Sequence, residues 1–368
     1  AAGFIVAPAS HLAARQRVSQ LGALRRASAT TVSMSDNDFK DWTATNTFFF
    51  PGQGAQYVGM AGQLVKDVPK AREMFEQASE VLGYDLLKLC LEGPKEKLDS
   101  TVISQPAIYV ASLAAVEKLR MEAGQEAIDK ATVAAGLSLG EYTALSFAGA
   151  ISFEDGLKIV KVRGEAMQRA SDGCESGMVS VIGLDSKVVQ ELCDKAAELS
   201  GSKIQIANYL CAGNYAVSGA RTACAKVAEI AKPDFKARMT VPLSVAGAFH
   251  TDFMSPAVAE LAAVLDSVTI RKPRIPVISN VDAMPHSDPA VIKAILKKQV
   301  TSPVLWENTI AAMMERGYEQ GYELGPGKVV AGIVKRTNKQ ALVINIEAYS
   351  LHSTPSPSSF ATFPTLIK

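Results

Sequence analysis

In Thr132-Val133-Ala134-Ala135-Gly136-Leu137-Ser138-Leu139-Gly140-Glu141-Tyr142 an apolar, β-type run meets a Gly-x-Ser-x-Gly sequence and then a helical one. A strand is expected over 132–135 and a helix from Leu139 to Ala148, which puts Ser138 on the turn between them. In that context GxSxG forms a nucleophile elbow. The glycines remove the Cβ clash of a sharp turn, the hydroxyl stands above the sheet, and the N–H groups at the helix start favour a developing anion. As a bare pattern GxSxG is only moderately specific, and a structural serine is the alternative.

The same alternation extends outward from the elbow. Thr47-Phe48-Phe49-Phe50 is a short apolar run stopped by Pro51-Gly52, which suits a buried strand. A helix is expected from Pro69, with Ala71, Met74, Phe75, Ala78 and Leu82 at helical spacing and Gly83 as the stop, and a second from Pro106. Strands alternating with helices imply a mainly parallel sheet covered on both faces. Between 177 and 243 the order changes to strand (178–182), helix (185–199), strand (204–208), strand (215–218), helix (221–230) and strand (238–241). That βαββαβ succession is the ferredoxin-like order. Strand candidates then resume at Pro276-Val277-Ile278-Ser279 and Ala341-Leu342-Val343-Ile344, so the small unit reads as an insertion into the large one.

At 368 residues and 48% hydrophobic, the chain is long enough for a large core and a second, smaller one. No apolar run approaches the ~20 residues of a membrane-spanning helix. Residues 1–35 hold Arg15, Arg17, Arg25 and Arg26, many Ala, Ser and Thr, and no acid, the composition of an organelle transit peptide. A leader over 1–40 is therefore expected, plastid first and mitochondrion second, a disordered tail being the blander reading. Without those arginines 34 basic side chains face 37 acidic ones, a formal charge of −3, and nothing suggests nucleic acid. The five cysteines have no CxxC pair, so neither a disulfide framework nor a zinc site is indicated. Residues 350–368 open on a Pro/Ser-rich stretch and read as a disordered tail. The expected division is thus 45–176 with 244–347 as the large subdomain and 177–243 as the small one.

A serine hydroxyl needs a positioned base, most often histidine. Four histidines exist: His11 in the leader, His352 in the tail, His286 in the turn-like Pro285-His286-Ser287-Asp288-Pro289, and His250. Elimination favours His250, although a lone histidine is often structural. Phe50-Pro51-Gly52-Gln53-Gly54-Ala55-Gln56 follows a strand with glycines on both sides of Gln53, so a backbone amide there could approach a ligand and complete an oxyanion hole. The alternative is a plain Gly-rich turn. Arg163 falls on the apolar stripe of its own helix, with Phe153, Leu157, Val160 and Met167. A guanidinium turned to the core costs several kcal/mol unless an anion meets it, and a protein carboxylate and a substrate both qualify.

Together these stretches resemble the malonyl-CoA:acyl carrier protein transacylase family, related to the acyltransferase domains of fatty acid and polyketide synthases. The resemblance runs from about Phe48 to Glu347. It covers Phe50 to Gln56, Gly136 to Tyr142, Val162-Arg163-Gly164, Ala248-Phe249-His250, the Gln299-Val300-Thr301-Ser302-Pro303-Val304-Leu305-Trp306 segment, and Glu323-Leu324-Gly325-Pro326-Gly327-Lys328. It implies an α/β-hydrolase-like large subdomain with a ferredoxin-like small one, and a Ser138–His250 dyad without a third acid. It further implies backbone N–H groups of Gln53 and Leu139 as the oxyanion hole, a main-chain carbonyl near Gln299 orienting His250, and Arg163 binding the malonyl carboxylate. The reaction would carry malonyl from malonyl-CoA to the phosphopantetheine thiol of acyl carrier protein, supplying fatty acid synthesis. No metal or bound cofactor is expected, nor nucleic acid or membrane, and the chain should act as a monomer. Leu137 departs from the family, many of whose members have histidine there.

Two rival functions are a serine esterase or thioesterase of α/β-hydrolase type and a non-catalytic carrier-protein docking module. The first would need an acidic triad member and leaves the inserted unit and Arg163 unexplained. The second would form no acyl-enzyme. Acyl carrier proteins are acidic, so Lys335-Arg336 or Arg271-Lys272-Arg274 could dock one, though charge runs are usually solvated faces.

Overall fold

The computed structural model describes residues 38–347. Residues 1–37 of the expected leader and the expected tail, with His11 and His352, lie outside the described residues; 38–40, also assigned to the leader, instead join the folded body, Asp38 bonding Lys272 and the Lys40 carbonyl accepting from Arg316 Nη1 at 3.0 Å. Strands β1 (Asn46–Phe50), β2 (Val133–Gly136), β7 (Val277–Ile278), β8 (Gln320–Glu323) and β9 (Leu342–Asn345) form one sheet in the order β7-β2-β1-β8-β9. Every neighbouring pair is parallel. Side chains of a strand alternate between faces. Phe48 and Phe50 accordingly enter one core with Ala134, and Phe49 enters another with Val133, Ala135 and Ile278. Both faces are therefore buried, as a parallel sheet requires.

The helices that cover it include α1 (Pro69–Leu82), α2 (Thr101–Asp129), α3 (Leu139–Phe147) and α4 (Phe153–Asp172). Pro69 opens α1 and Gly83 ends it in a left-handed conformation, φ +81°, the two signals read from the sequence. The α2 expectation needs correction. The helix begins at Thr101, five residues before Pro106, which sits inside it. Pro106 removes only its own N–H, leaving the Val102 carbonyl without its helical donor, and the burial of Ile103, Ala107, Ile108 and Val110 holds the turn in place.

Strands β3 (Ser176–Ile182), β4 (Ile204–Cys211), β5 (Asn214–Ala220) and β6 (Met239–Pro242) make a separate antiparallel sheet, ordered β4-β5-β3-β6. Its two helices, α5 (Ser186–Ser200) and α6 (Arg221–Ile230), pack Leu192 and Val227 on one face against Val179, Val181 and Val217 of the strands. This is the ferredoxin-like arrangement. The rest of the chain adds α7 (Ser255–Ser267), α8 (Pro289–Gln299), α9 (Trp306–Glu315) and α10 (Val329–Thr337). Two contacts tie the small sheet to the segments that carry the site: Ser218 Oγ on β5 donates to the Phe249 carbonyl at 2.8 Å, and the Tyr209 N–H on β4 to the Val304 carbonyl at 2.9 Å.

Candidate active site

Ser138 stands between β2 and α3 with φ +52° and ψ −100°, a strained backbone for a residue with a side chain. Three glycines make that turn sterically open. A Cβ on Gly136 would lie 1.8 Å from the Gly140 carbonyl carbon, one on Gly140 2.2 Å from the Phe50 oxygen, and one on Gly52 2.3 Å from the Leu137 oxygen. The last value brings the loop after β1 into direct contact with the elbow. Gln53 follows Gly52 there, its Nε2 reaching Thr101 Oγ1 at 3.4 Å, and Leu139 is the first residue of α3, its N–H preceding the helical ladder.

The elbow is stapled by a residue that no sequence pattern singled out. Asn280, fully buried just after β7, accepts the Ser138 N–H on Oδ1 at 2.6 Å and donates Nδ2 to the Gly136 carbonyl at 2.8 Å. Its one amide thus satisfies backbone groups on both sides of Leu137, where the chain enters the strained residue. Only the parallel pairing of β7 with β2 brings it there.

His250 also has a positive φ, +61°. Its Nδ1 lies 2.9 Å from the Gln299 main-chain oxygen and its Nε2 2.8 Å from Ser138 Oγ. A carbonyl only accepts, so Nδ1 carries the proton and Nε2 is left as the acceptor for the serine hydroxyl. Burial first, and the Arg163 charge second, push the imidazole down from 6.5 to about 4. It is therefore neutral at physiological pH. His286 pairs instead with Asp282 at 2.9 Å, in a partly exposed turn.

Arg163, on α4, is 1% exposed. Its Nη1 donates to Gln105 Oε1 at 2.7 Å, and its Nη2 to Ser138 Oγ and to Gln299 Oε1, both at 3.0 Å. The guanidinium also lies over the Tyr142 ring, 5.2 Å from its centroid. Its Nε has no hydrogen-bond partner, and among the described residues no carboxylate forms a salt bridge with it. Of the two explanations open from the sequence, the internal ion pair finds no partner. Burial, which disfavours the charged form, lowers its pKa from the ordinary arginine value. Gln299 Nε2 donates to the Ser138 carbonyl at 3.0 Å and to Glu141 Oε2 at 2.6 Å. Of the residues singled out in the sequence, Ser138, His250, Arg163 and Gln299 converge through direct hydrogen bonds, with Gln53 and Leu139 in the flanking loop and helix start. Gln105, Glu141 and Asn280 join them without having been foreseen as site residues. Such a cluster can deprotonate a hydroxyl at the mouth of a helix and present a buried cation beside it.

The model of the acyl transferase domain family matches residues 47–358. The human mitochondrial malonyl-CoA-acyl carrier protein transacylase is 43% identical over 318 residues, spanning 82% of this chain and 81% of the relative. The solved Coxiella burnetii malonyl CoA-acyl carrier protein transacylase superposes with a TM-score of 0.78 at 36% identity, covering 83% of this chain and 95% of that one. A malonyl-transacylase solved in complex with its type II polyketide acyl carrier protein superposes with a TM-score of 0.77 at 33% identity, over 82% of this chain and 96% of that one. The chain belongs to the acyl transferase domain family and, within it, to the malonyl-CoA-acyl carrier protein transacylases.

Proposed function

We propose that the protein moves malonyl groups from malonyl-CoA to the phosphopantetheine thiol of acyl carrier protein through a malonyl-serine on Ser138. The observation that carries this reading is Arg163: a buried cation without an ionic or Nε partner among the described residues, whose Nη2 reaches Ser138 Oγ. The Nε–Nη2 edge is a fork of the right shape for a carboxylate, and malonyl carries one where acetyl has none.

In the first half-reaction Ser138 Oγ attacks the thioester carbon while its proton passes to His250 Nε2. The tetrahedral oxyanion is held by the N–H groups of Gln53 and Leu139. The carbon–sulfur bond then breaks, and the coenzyme A sulfur leaves with the proton from His250. The carrier thiol reverses the sequence, giving its proton to His250, attacking the ester carbon and releasing Ser138. The Gln299 main-chain carbonyl keeps the imidazole in the one tautomer that accepts at Nε2. Loss of a single oxyanion donor in comparable sites costs on the order of 10²–10³ in rate. Ser138, His250, Gln299 and Arg163 all come from one chain, which supports a monomer as the working unit. An esterase reading would leave the unpaired Arg163 without a role.

Intact mass after mixing with malonyl-CoA, before and after adding carrier protein, tests this. A malonyl adduct should form and then discharge, and Ser138→Ala should abolish it with the fold intact. An adduct on that variant would move the nucleophile elsewhere.

The relatives named mitochondrial, with the Arg-rich and acid-free composition of residues 1–35, support an organelle form of the enzyme. Plastid targeting is our reading of the leader, with the mitochondrion second.

A further inference from the structure

We propose that Glu141 is a positioning residue for malonyl transfer, whose carboxylate locks the Gln299 amide with Oε1 toward Arg163 while the main-chain carbonyl of the same residue holds His250. The proposal rests on the transferase reading above. Glu141 is 3% exposed on α3, three residues after the nucleophile, and the two-step mechanism makes no use of it.

The argument is one of donors and acceptors. Gln299 is fully buried, and its side chain has one carbonyl oxygen and two N–H donors, all engaged. Oε1 takes Arg163 Nη2, and Nε2 serves the Ser138 carbonyl and Glu141 Oε2. In the flipped amide, N–H would face the guanidinium donors and the oxygen would face two acceptors. A carboxylate can only accept, so it excludes the flip. A neutral acid or an amide can donate as well, and relaxes that exclusion. Glu141 Oε2 also accepts the Asn280 N–H at 3.0 Å, and Asn280 Oδ1 holds the Ser138 N–H. One carboxylate is thereby bonded to both residues that fix the elbow, the base and the clamp.

Its ionisation falls where it matters. Burial pushes Glu141 up from 4.5 to about 7, against the pull of its bonds to Gln299 and Asn280. The charged and titratable groups around it are Arg163 on α4, Asp282 and His286 in the turn after β7, and Tyr142 on its own helix. A cavity of about 10 Å³ is lined by Glu141, Ser279, His286, Leu145 and Ile292. That is room for no more than a single water beside the buried carboxylate.

The test is the pH profile of kcat/KM for malonyl-CoA. Wild type should lose activity as pH falls through about 7, well above the range in which His250 protonates. Glu141→Gln should lower kcat/KM about 10- to 100-fold at pH 8, the scale of one charge-assisted hydrogen bond, and should lack the limb near pH 7. Glu141→Asp should retain that limb. A merely structural glutamate would lower the thermal midpoint and leave the profile in place. The proposal is overturned if E141Q keeps the limb, or if its kcat/KM stays within about threefold of wild type. Should E141Q fail to fold, the test falls to Glu141→Asp, and loss of the limb in that folded variant overturns the proposal equally. Intact mass on wild type separates the two readings: without a malonyl adduct the transferase reading fails, whereas an adduct with an unaltered E141Q profile defeats only this proposal.

Discussion

Replacing Arg163 by alanine separates recognition of malonyl from chemistry on any acyl group. Truncating one partner of a desolvated charge pair costs about 2–5 kcal/mol, which is about 30- to 5,000-fold in kcat/KM for malonyl-CoA. Acetyl-CoA offers no carboxylate, so its transfer should fall far less or rise, because Ser138 Oγ also loses a hydrogen bond from Nη2. The stability effect has two opposing parts. Gln105 Oε1 and Gln299 Oε1 each lose a donor, at about 1–3 kcal/mol apiece, while an unpaired buried guanidinium is removed. With no salt bridge to break, the thermal midpoint should move by no more than about 5 °C. The assay is kcat/KM for malonyl-CoA and acetyl-CoA on wild type and variant, beside a thermal melt. An unchanged malonyl-to-acetyl ratio, with both rates reduced and a large fall in the midpoint, would refute the clamp and return Arg163 to a structural role.

His250→Ala should slow both half-reactions by at least ~10², since each passes a proton through Nε2; near-normal single-turnover rates would assign the base elsewhere. The depressed value of His250, about 4 against 6.5 when unfolded, means that the unfolded chain binds more protons between those limits. Its contribution to stability is complete above about pH 6.5 and is lost as pH falls through about 4, amounting to about 3 kcal/mol. Urea midpoints of wild type and His250→Asn should therefore converge toward low pH, and parallel curves would show the imidazole is not desolvated. A fusion of residues 1–40 to a reporter should enter plastids and be cut before about residue 40, and an uncut cytosolic reporter would refute the leader.

Much of the architecture could be read because apolar spacing and turn residues agreed locally. The βαββαβ order, the stop of α1 at Gly83 and the elbow at Ser138 are all of this kind. Strand β8 was hidden for the opposite reason. Gln320-Gly321-Tyr322-Glu323 has almost no apolar content, and it becomes a central strand because β1 and β9 pair on its two sides. Its Glu323 is buried because the carboxylate accepts the N–H groups of Val330 and Ala331 at the start of α10. The site divided in the same way. Ser138, His250 and Arg163 announced themselves by motif, elimination and misfit. Asn280 and Glu141 are ordinary residues in local sequence, and their functions exist only where β7, α3 and α8 meet.

The histidine here is aimed by a peptide oxygen, where a triad would use a carboxylate side chain. A peptide oxygen has no proton to gain across the biological range, so the aim of the base is indifferent to acidity. It is equally indifferent to which amino acid occupies position 299, and a survey of substitutions there would report only on the side-chain contacts to Arg163, Ser138 and Glu141. Changing the aim itself requires moving the end of α8, by insertion or deletion.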